Sequence, residues 1–133
     1  MKRFLFMTFL LSISSAWAGP EEDTLVAYLR NDYETGLRIA IPLASKGEAW
    51  AQQILGNSYA AGLGLPKNYT EAMKWFRLAA DQGNADAQFS LGAGYHTGQG
   101  ALQDYVEAIR WYRLVGADSI LTHPADLRLT QGW

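Results

Sequence analysis

Residues 48–83 laid over residues 84–119 match without a gap, and this 36-residue period constrains the fold more than any other feature of the chain. Ala49, Ala51, Gln52, Leu55, Gly56, Tyr59, Gly62 and Gly64 return as Ala85, Ala87, Gln88, Leu91, Gly92, Tyr95, Gly98 and Gly100. Tyr69, Glu71, Ala72, Trp75, Arg77 and Leu78 return as Tyr105, Glu107, Ala108, Trp111, Arg113 and Leu114. Fourteen of 36 positions agree, rare Trp, Tyr and Gly among them, which chance does not produce. A weaker copy lies upstream, where Asp32 and Tyr33 align with Asn68 and Tyr69, and Gly47 with Gly83. A fixed period of this length marks units that stack because none buries its own apolar face alone.

Each unit reads as two helices. The first runs from about Glu48 to Ala61, with Ala51, Leu55 and Tyr59 on one stripe. Gly56 beside that stripe admits a neighbouring backbone. Gly62-Leu63-Gly64 ends the helix, because glycine accepts the left-handed conformation of a helix C-terminus, and Pro66 prevents continuation. The second helix starts at Asn68, an N-cap, and Glu71 three residues on predicts a capping-box pair that Asp104 and Glu107 repeat. Ala72, Trp75, Phe76 and Ala79 form its apolar stripe, matched by Ala108, Trp111, Tyr112 and Val115. Gly83 stops it, and Asn84 caps the next helix.

The fold class that follows is all-α, a short right-handed α-α superhelix of helix-turn-helix repeats. Between two and a half and three units are present, near the minimum of about three for stability. Residues 19–47 are expected to hold an N-terminal helix over Glu21–Arg30, with Leu25, Val26 and Leu29 facing inward, followed by a degenerate half-repeat. Repeats follow at 48–83 and 84–119. Residues 117–133 break the pattern, and the end segment 120–133 is either a cap or a loose tail.

The N-terminus carries a different signal. Lys2 and Arg3 precede an apolar run from Phe4 to Ile13, and Ala16-Trp17-Ala18 has the small residues of an A-x-A cleavage site. This is the anatomy of a secretory signal peptide over residues 1–18, cut after Ala18. The run is too short to cross roughly 30 Å of hydrocarbon. Export to the periplasm, or secretion, is expected, with no integral membrane segment left after cleavage. The chain has 11 basic and 13 acidic residues; loss of Lys2 and Arg3 leaves nine basic ones and a net charge of −4. That balance offers no field for nucleic acid. With no cysteine, disulfides, thiolate zinc sites and cysteine nucleophiles are excluded.

The stretch Ala49-Trp-Ala-Gln-Gln-Ile-Leu-Gly-Asn-Ser-Tyr-Ala-Ala-Gly-Leu-Gly64, followed by Asn68-Tyr69-Thr-Glu-Ala72-Met-Lys-Trp75-Phe76, resembles the SEL-1-like repeat, a relative of the tetratricopeptide repeat. Residues 85–116 match as well, and the resemblance extends over roughly 32–116. It implies adaptor work: scaffolding and recognition, in some exported members immunity against secreted toxins. It transfers no catalytic residues. Some cysteine-rich relatives carry a β-lactamase label, but their cysteines are missing here.

The residues themselves offer little chemistry. His96 and His123 stand 27 positions apart without zinc-ligand spacing. There is no G-x-S-x-G elbow and no Ser-x-x-Lys. Gly62-Leu-Gly-Leu-Pro-Lys67 lacks the ending of a phosphate loop, and its glycines belong to the repeat. Glu71 and Glu107 sit at equivalent helix starts rather than as an acid–base pair, and Trp75 and Trp111 read as core. No catalytic, cofactor-binding or metal-ligating residue is therefore assigned.

What remains is a surface. On the first helices, the face opposite the packing stripe carries Trp50, Gln53 and Asn57 in one copy and Asp86, Phe89 and Ala93 in the next, with His96 one turn on. The copies differ here while their packing positions agree. Trp50, Gln53, Asn57, Asp86, Phe89 and His96 are the candidate contacts for a protein or peptide partner, and exposed aromatics would suit a binding hot spot. Trp50 and Phe89 have an alternative role as covers for packed helices. Two other functions stay open at this level: a β-lactamase-like or cell-wall-acting enzyme, and a structural fragment of a longer solenoid.

Overall fold

A computed structural model describes residues 19–116; the expected leader at 1–18 and the segment from 117 onward, His123 included, lie outside the described residues. Six helices follow one another: α1 (Pro20–Leu29), α2 (Tyr33–Ser45), α3 (Ala49–Ala61), α4 (Tyr69–Asp81), α5 (Ala85–Thr97) and α6 (Tyr105–Leu114). Among the described residues there is no strand. Each helix packs on the next, and α3 also touches α5, whereas second helices meet one another less. The first helices therefore line the inside of the curve of an all-helical solenoid.

Residues 19–47 hold the N-terminal helix, α1, and a second helix, α2, in register with α4 and α6, and the two form a hairpin. Its link spans residues 30–32, against 62–68 and 98–104 in the later hairpins. Asn31 takes the left-handed φ of 59° that Gly62 and Gly98 take in those links. The inward face of α1 departs from expectation. Leu25, Val26 and Leu29 are 44, 43 and 85 % exposed, while Thr24 and Ala27 are buried. Small residues let α1 approach α2, and the Thr24 hydroxyl tolerates burial because it donates to the Pro20 carbonyl at 2.7 Å.

The helix starts use side chains as caps. Asn68 accepts from the Glu71 amide, Asn84 from the Ala87 amide, and Asp104 from the amides of Val106 and Glu107. The return half of the capping box is not formed at Glu71 or Glu107. Their carboxylates pair instead with Lys74 and Arg110, each at 2.6 Å. A cation one turn on outcompetes a backbone amide for the carboxylate.

Two devices join the hairpins. The buried Gln52 donates to the Ala44 carbonyl and the buried Gln88 to the Ala80 carbonyl, both at 3.2 Å. Each glutamine thereby ties the first helix of one unit to the last turn of the unit before. The second glycine of each G-x-G loop rests on the start of the preceding second helix. A Cβ on Gly64 would lie 2.7 Å from Leu37 and 2.8 Å from Tyr33, and one on Gly100 would strike the Tyr69 carbonyl. A third tie occurs once, between the first two hairpins: the Tyr28 hydroxyl meets Ser58 Oγ at 2.5 Å. Ser58 spends its own proton on the Ile54 carbonyl, so Tyr28 is the donor.

Burial pushes the Tyr28 phenol above its usual value of 10.0. A phenol whose pKa rises on folding holds its proton more tightly in the folded state. Its share of stability is complete below the unfolded value and is lost as pH climbs through the folded one. Tyr28→Phe should cost about 1 kcal/mol at neutral pH and flatten the decline of stability above pH 10.0. Denaturant melts of both proteins from neutral to alkaline pH check this.

Gly100→Ala and Gly83→Ala separate backbone strain from contact. Both glycines have positive φ, 77° and 92°, but a Cβ at Gly83 meets nothing within 4 Å. Gly83→Ala should cost about 1–2 kcal/mol, and Gly100→Ala at least about 1 kcal/mol more because the loop must shift off Tyr69. Equal losses in chemical denaturation would show that the loop contact contributes nothing.

Candidate partner-binding face

The inner row of first-helix residues divides into three neighbourhoods. Trp50 is half-buried against a core cluster that joins Leu37, Ala40 and Ala44 of the preceding hairpin to Ala51, Ile54 and Leu55 of its own helix. With Leu43 and Glu48 it lines a hollow of about 310 Å³ that reaches Gly19–Glu22 at the start of α1. Trp50 thus covers the preceding hairpin and keeps one side open to this hollow.

Phe89 and His96 belong together. Phe89 is 43 % exposed, and its ring lies 5.4 Å from that of Tyr112, tilted. His96 is exposed and stands edge-on to Tyr105 at 5.8 Å and to Tyr112 at 6.4 Å. Tyr112 in turn is seated on Gly92, where a Cβ would come within 2.6 Å of its ring. Burial raises the Tyr112 phenol above its usual value. Asp86, on the same helix, is exposed, and its carbonyl accepts from Ser90. Gln53 is half-buried, without a side-chain hydrogen bond among the described residues.

Asn57 occupies the third neighbourhood, a crevice of about 190 Å³ between α3, α4 and α5. Ala72, Met73, Phe76 and Gly94 are buried and make its floor. Asn57, Ser90 and Gln99 give it a polar rim, and Ala60 and Tyr69 close one end. The Lys67 ammonium lies 5.0 Å from the Tyr69 ring centre. The crevice joins an apolar floor to uncharged hydrogen-bonding groups, the character of a side-chain pocket for a polypeptide. Sequence reasoning found Asn57 but missed Tyr69, Ser90 and Gln99. The signal available was Ala60, a small residue at the position where the next copy has His96.

Second helices contribute one cross-repeat cation. The Arg77 guanidinium hydrogen-bonds the Tyr95 hydroxyl and lies over the Trp111 ring at 5.1 Å. Among the described residues no three His, Asp or Glu side chains gather to hold a metal ion.

Comparison with known proteins agrees with this architecture. The Sel1 repeat family matches residues 51–84 and 85–114. A Sel1 repeat protein from Oxalobacter formigenes has a similar structure, with a TM-score of 0.69 and 34 % identity over 76 % of this chain. A protective antigen of uropathogenic Escherichia coli strains displaying an SLR fold gives a TM-score of 0.67 and 33 % identity over 74 % of the chain. The chain spans 40 % of the first protein and 23 % of the second. Among curated proteins there is no match.

If Phe89 is a packing partner of Tyr112 as well as a surface group, Phe89→Ala should cost about 1–2 kcal/mol. Gln53→Ala, at the equivalent position, should stay within about 0.5 kcal/mol of the parent. Urea denaturation of the two variants distinguishes a packed aromatic from a free one.

Proposed function

The chain belongs to the Sel1-repeat family, and on that premise we propose that it is an exported module that binds a protein or peptide along the inner row of its first helices. Sel1 repeats are generally protein–protein interaction modules without enzymatic activity. The observation that carries the reading is the division between the two copies. They agree at Ala51/Ala87, Gln52/Gln88, Leu55/Leu91 and Gly56/Gly92, which pack, and differ at Trp50/Asp86, Gln53/Phe89 and Asn57/Ala93, which face the inner row. A surface whose residues are released from the packing rule is where recognition is free to vary. Export is supported by the leader-like residues 1–18, and no helix among the described residues is long and apolar enough to cross a membrane.

Immobilised protein should retain a defined partner from the cell envelope of its host, and the partner should rebind when purified. A Trp50→Ala, Asn57→Ala, Phe89→Ala variant that keeps its helical circular dichroism should bind about tenfold or more weakly. Equal retention by that variant would move the binding face elsewhere. Turnover of a chromogenic β-lactam or of peptidoglycan, abolished by a point substitution, would replace the binding reading with a catalytic one. The N-terminus of protein recovered from fractionated cells should be Gly19, in the periplasm or the medium; an intact Met1 end in the cytoplasm would sink the export reading.

A further inference from the structure

The crevice beside Asn57 has a filled counterpart at Tyr28, and a ring also stands at the corresponding position of the next unit, His96. The penultimate residues of the three first helices are Tyr28, Ala60 and His96, and the second helices that follow begin at Tyr33, Tyr69 and Tyr105. Tyr28 stands edge-on to Tyr33 at 5.3 Å, and His96 stands edge-on to Tyr105 at 5.8 Å. At the middle level the ring is missing, because position 60 is alanine.

The surroundings of the Tyr28 ring reappear around the gap. Tyr28 touches Tyr33, lies where a Cβ of Gly36 would be, and bonds Ser58. One repeat onward these neighbours become Tyr69, Ala72 and Gly94, and all three line the crevice. Its volume of about 190 Å³ exceeds the ~150 Å³ of a cavity that takes up benzene. The serine that accepts the Tyr28 hydroxyl is replaced by glycine, but Asn57, Ser90 and Gln99 at the rim offer polar atoms in its stead.

We infer that this crevice is a socket for an aromatic side chain, tyrosine or phenylalanine, presented by the partner polypeptide in the place that Tyr28 fills one level above. The partner rests on the interaction reading given above; the shape of the socket does not. The inner row then works as a ladder: the chain supplies its own ring at the first and third levels, and the partner supplies the second.

The test uses N-acetyl-tyrosinamide titrated into ¹⁵N-labelled protein, with N-acetyl-alaninamide as control. Saturable shifts are expected at the amides of Met73, Ser90 and Gly94 with the tyrosine probe alone. Ala60→Tyr, which installs the ring covalently, should abolish those shifts and raise the thermal midpoint by about 4 °C or more. Ala60→His, which copies position 96, should act in the same direction. A lowered midpoint in both variants, or tyrosine-probe shifts that persist in them, would overturn the socket. A purified partner that binds the parent and Ala60→Tyr equally would also overturn it, while leaving the interaction module intact. Tyrosine-probe binding at the crevice in a protein that retains no polypeptide partner would support the socket and remove the interaction reading.

Discussion

The solenoid depends on one contact made inside each hairpin: an aromatic ring laid directly on a glycine of the facing helix. Phe76 of α4 lies where a Cβ of Gly56 would be, and Tyr112 of α6 where a Cβ of Gly92 would be. Without a side chain beneath them, the rings drop close to the opposing backbone and the two helices approach. The large flat side chain is then almost fully buried, Phe76 remaining 5 % exposed in a core that also holds Met73, Ala80 and Leu91. The first hairpin makes the same contact with the roles exchanged. There the glycine, Gly36, is on the second helix, and the ring, Tyr28, is on the first. This exchange puts a ring at the end of α1, on the inner side, where its hydroxyl reaches Ser58 of the following unit.

Stability between hairpins comes from a different source, and ion pairs have little part in it. The two ion pairs among the described residues, Glu71–Lys74 and Glu107–Arg110, lie within single helices, and their cations are 65 and 71 % exposed. Such pairs contribute a few tenths of a kcal/mol. The junctions rely instead on alanines packed to near-zero exposure, such as Ala40, Ala51, Ala79 and Ala87, and on the Gln52 and Gln88 side chains, each of which adds a second hydrogen bond to a carbonyl at the end of α2 or α4 that already accepts a backbone amide. Each junction involves neighbouring hairpins, as expected of a structure whose stability is a sum of local terms.

Much of this was legible in the sequence, because the repeat doubles every signal. The helix ends at Gly62 and Gly98, the caps at Asn68, Asn84 and Asp104, and the stripes around Leu55 and Leu91 follow from residue types at fixed spacing. The first hairpin was hidden for a physical reason. Its link is four residues shorter than the others, so α1 falls out of the 36-residue register even though α2 keeps it. Hydropathy then misled as well, since Leu25, Val26 and Leu29 look like a core stripe, and Thr24, the residue actually buried, looks polar. The hydroxyl bond that makes this burial tolerable is invisible without coordinates. The glutamine ties were present in plain sight as two identical residues, but identity alone does not say which carbonyl a side chain will reach.

The inner row was the least legible part, and the reason lies in how the packing is divided. Positions 60 and 96 are equivalent in register yet hold Ala and His, and positions 28, 60 and 96 reach their equivalence only once the helix ends are known. At positions 60 and 96 the side chain is not needed to close the hairpin, because the ring-on-glycine contact is made a turn away at Gly56 and Gly92, whereas at position 28 Tyr28 makes that contact itself. A position relieved of that duty is free to be large, small or polar without unfolding its unit. Where it is large, the molecule completes itself, as Tyr28 does against Tyr33. Where it is small, the same walls stand open, with Met73 and Phe76 beneath them. The spacing of the repeat therefore does more than hold the helices. It sets out equivalent compartments at fixed intervals along one side, and the side chain at a single position in each decides whether that compartment belongs to the scaffold or to its partner.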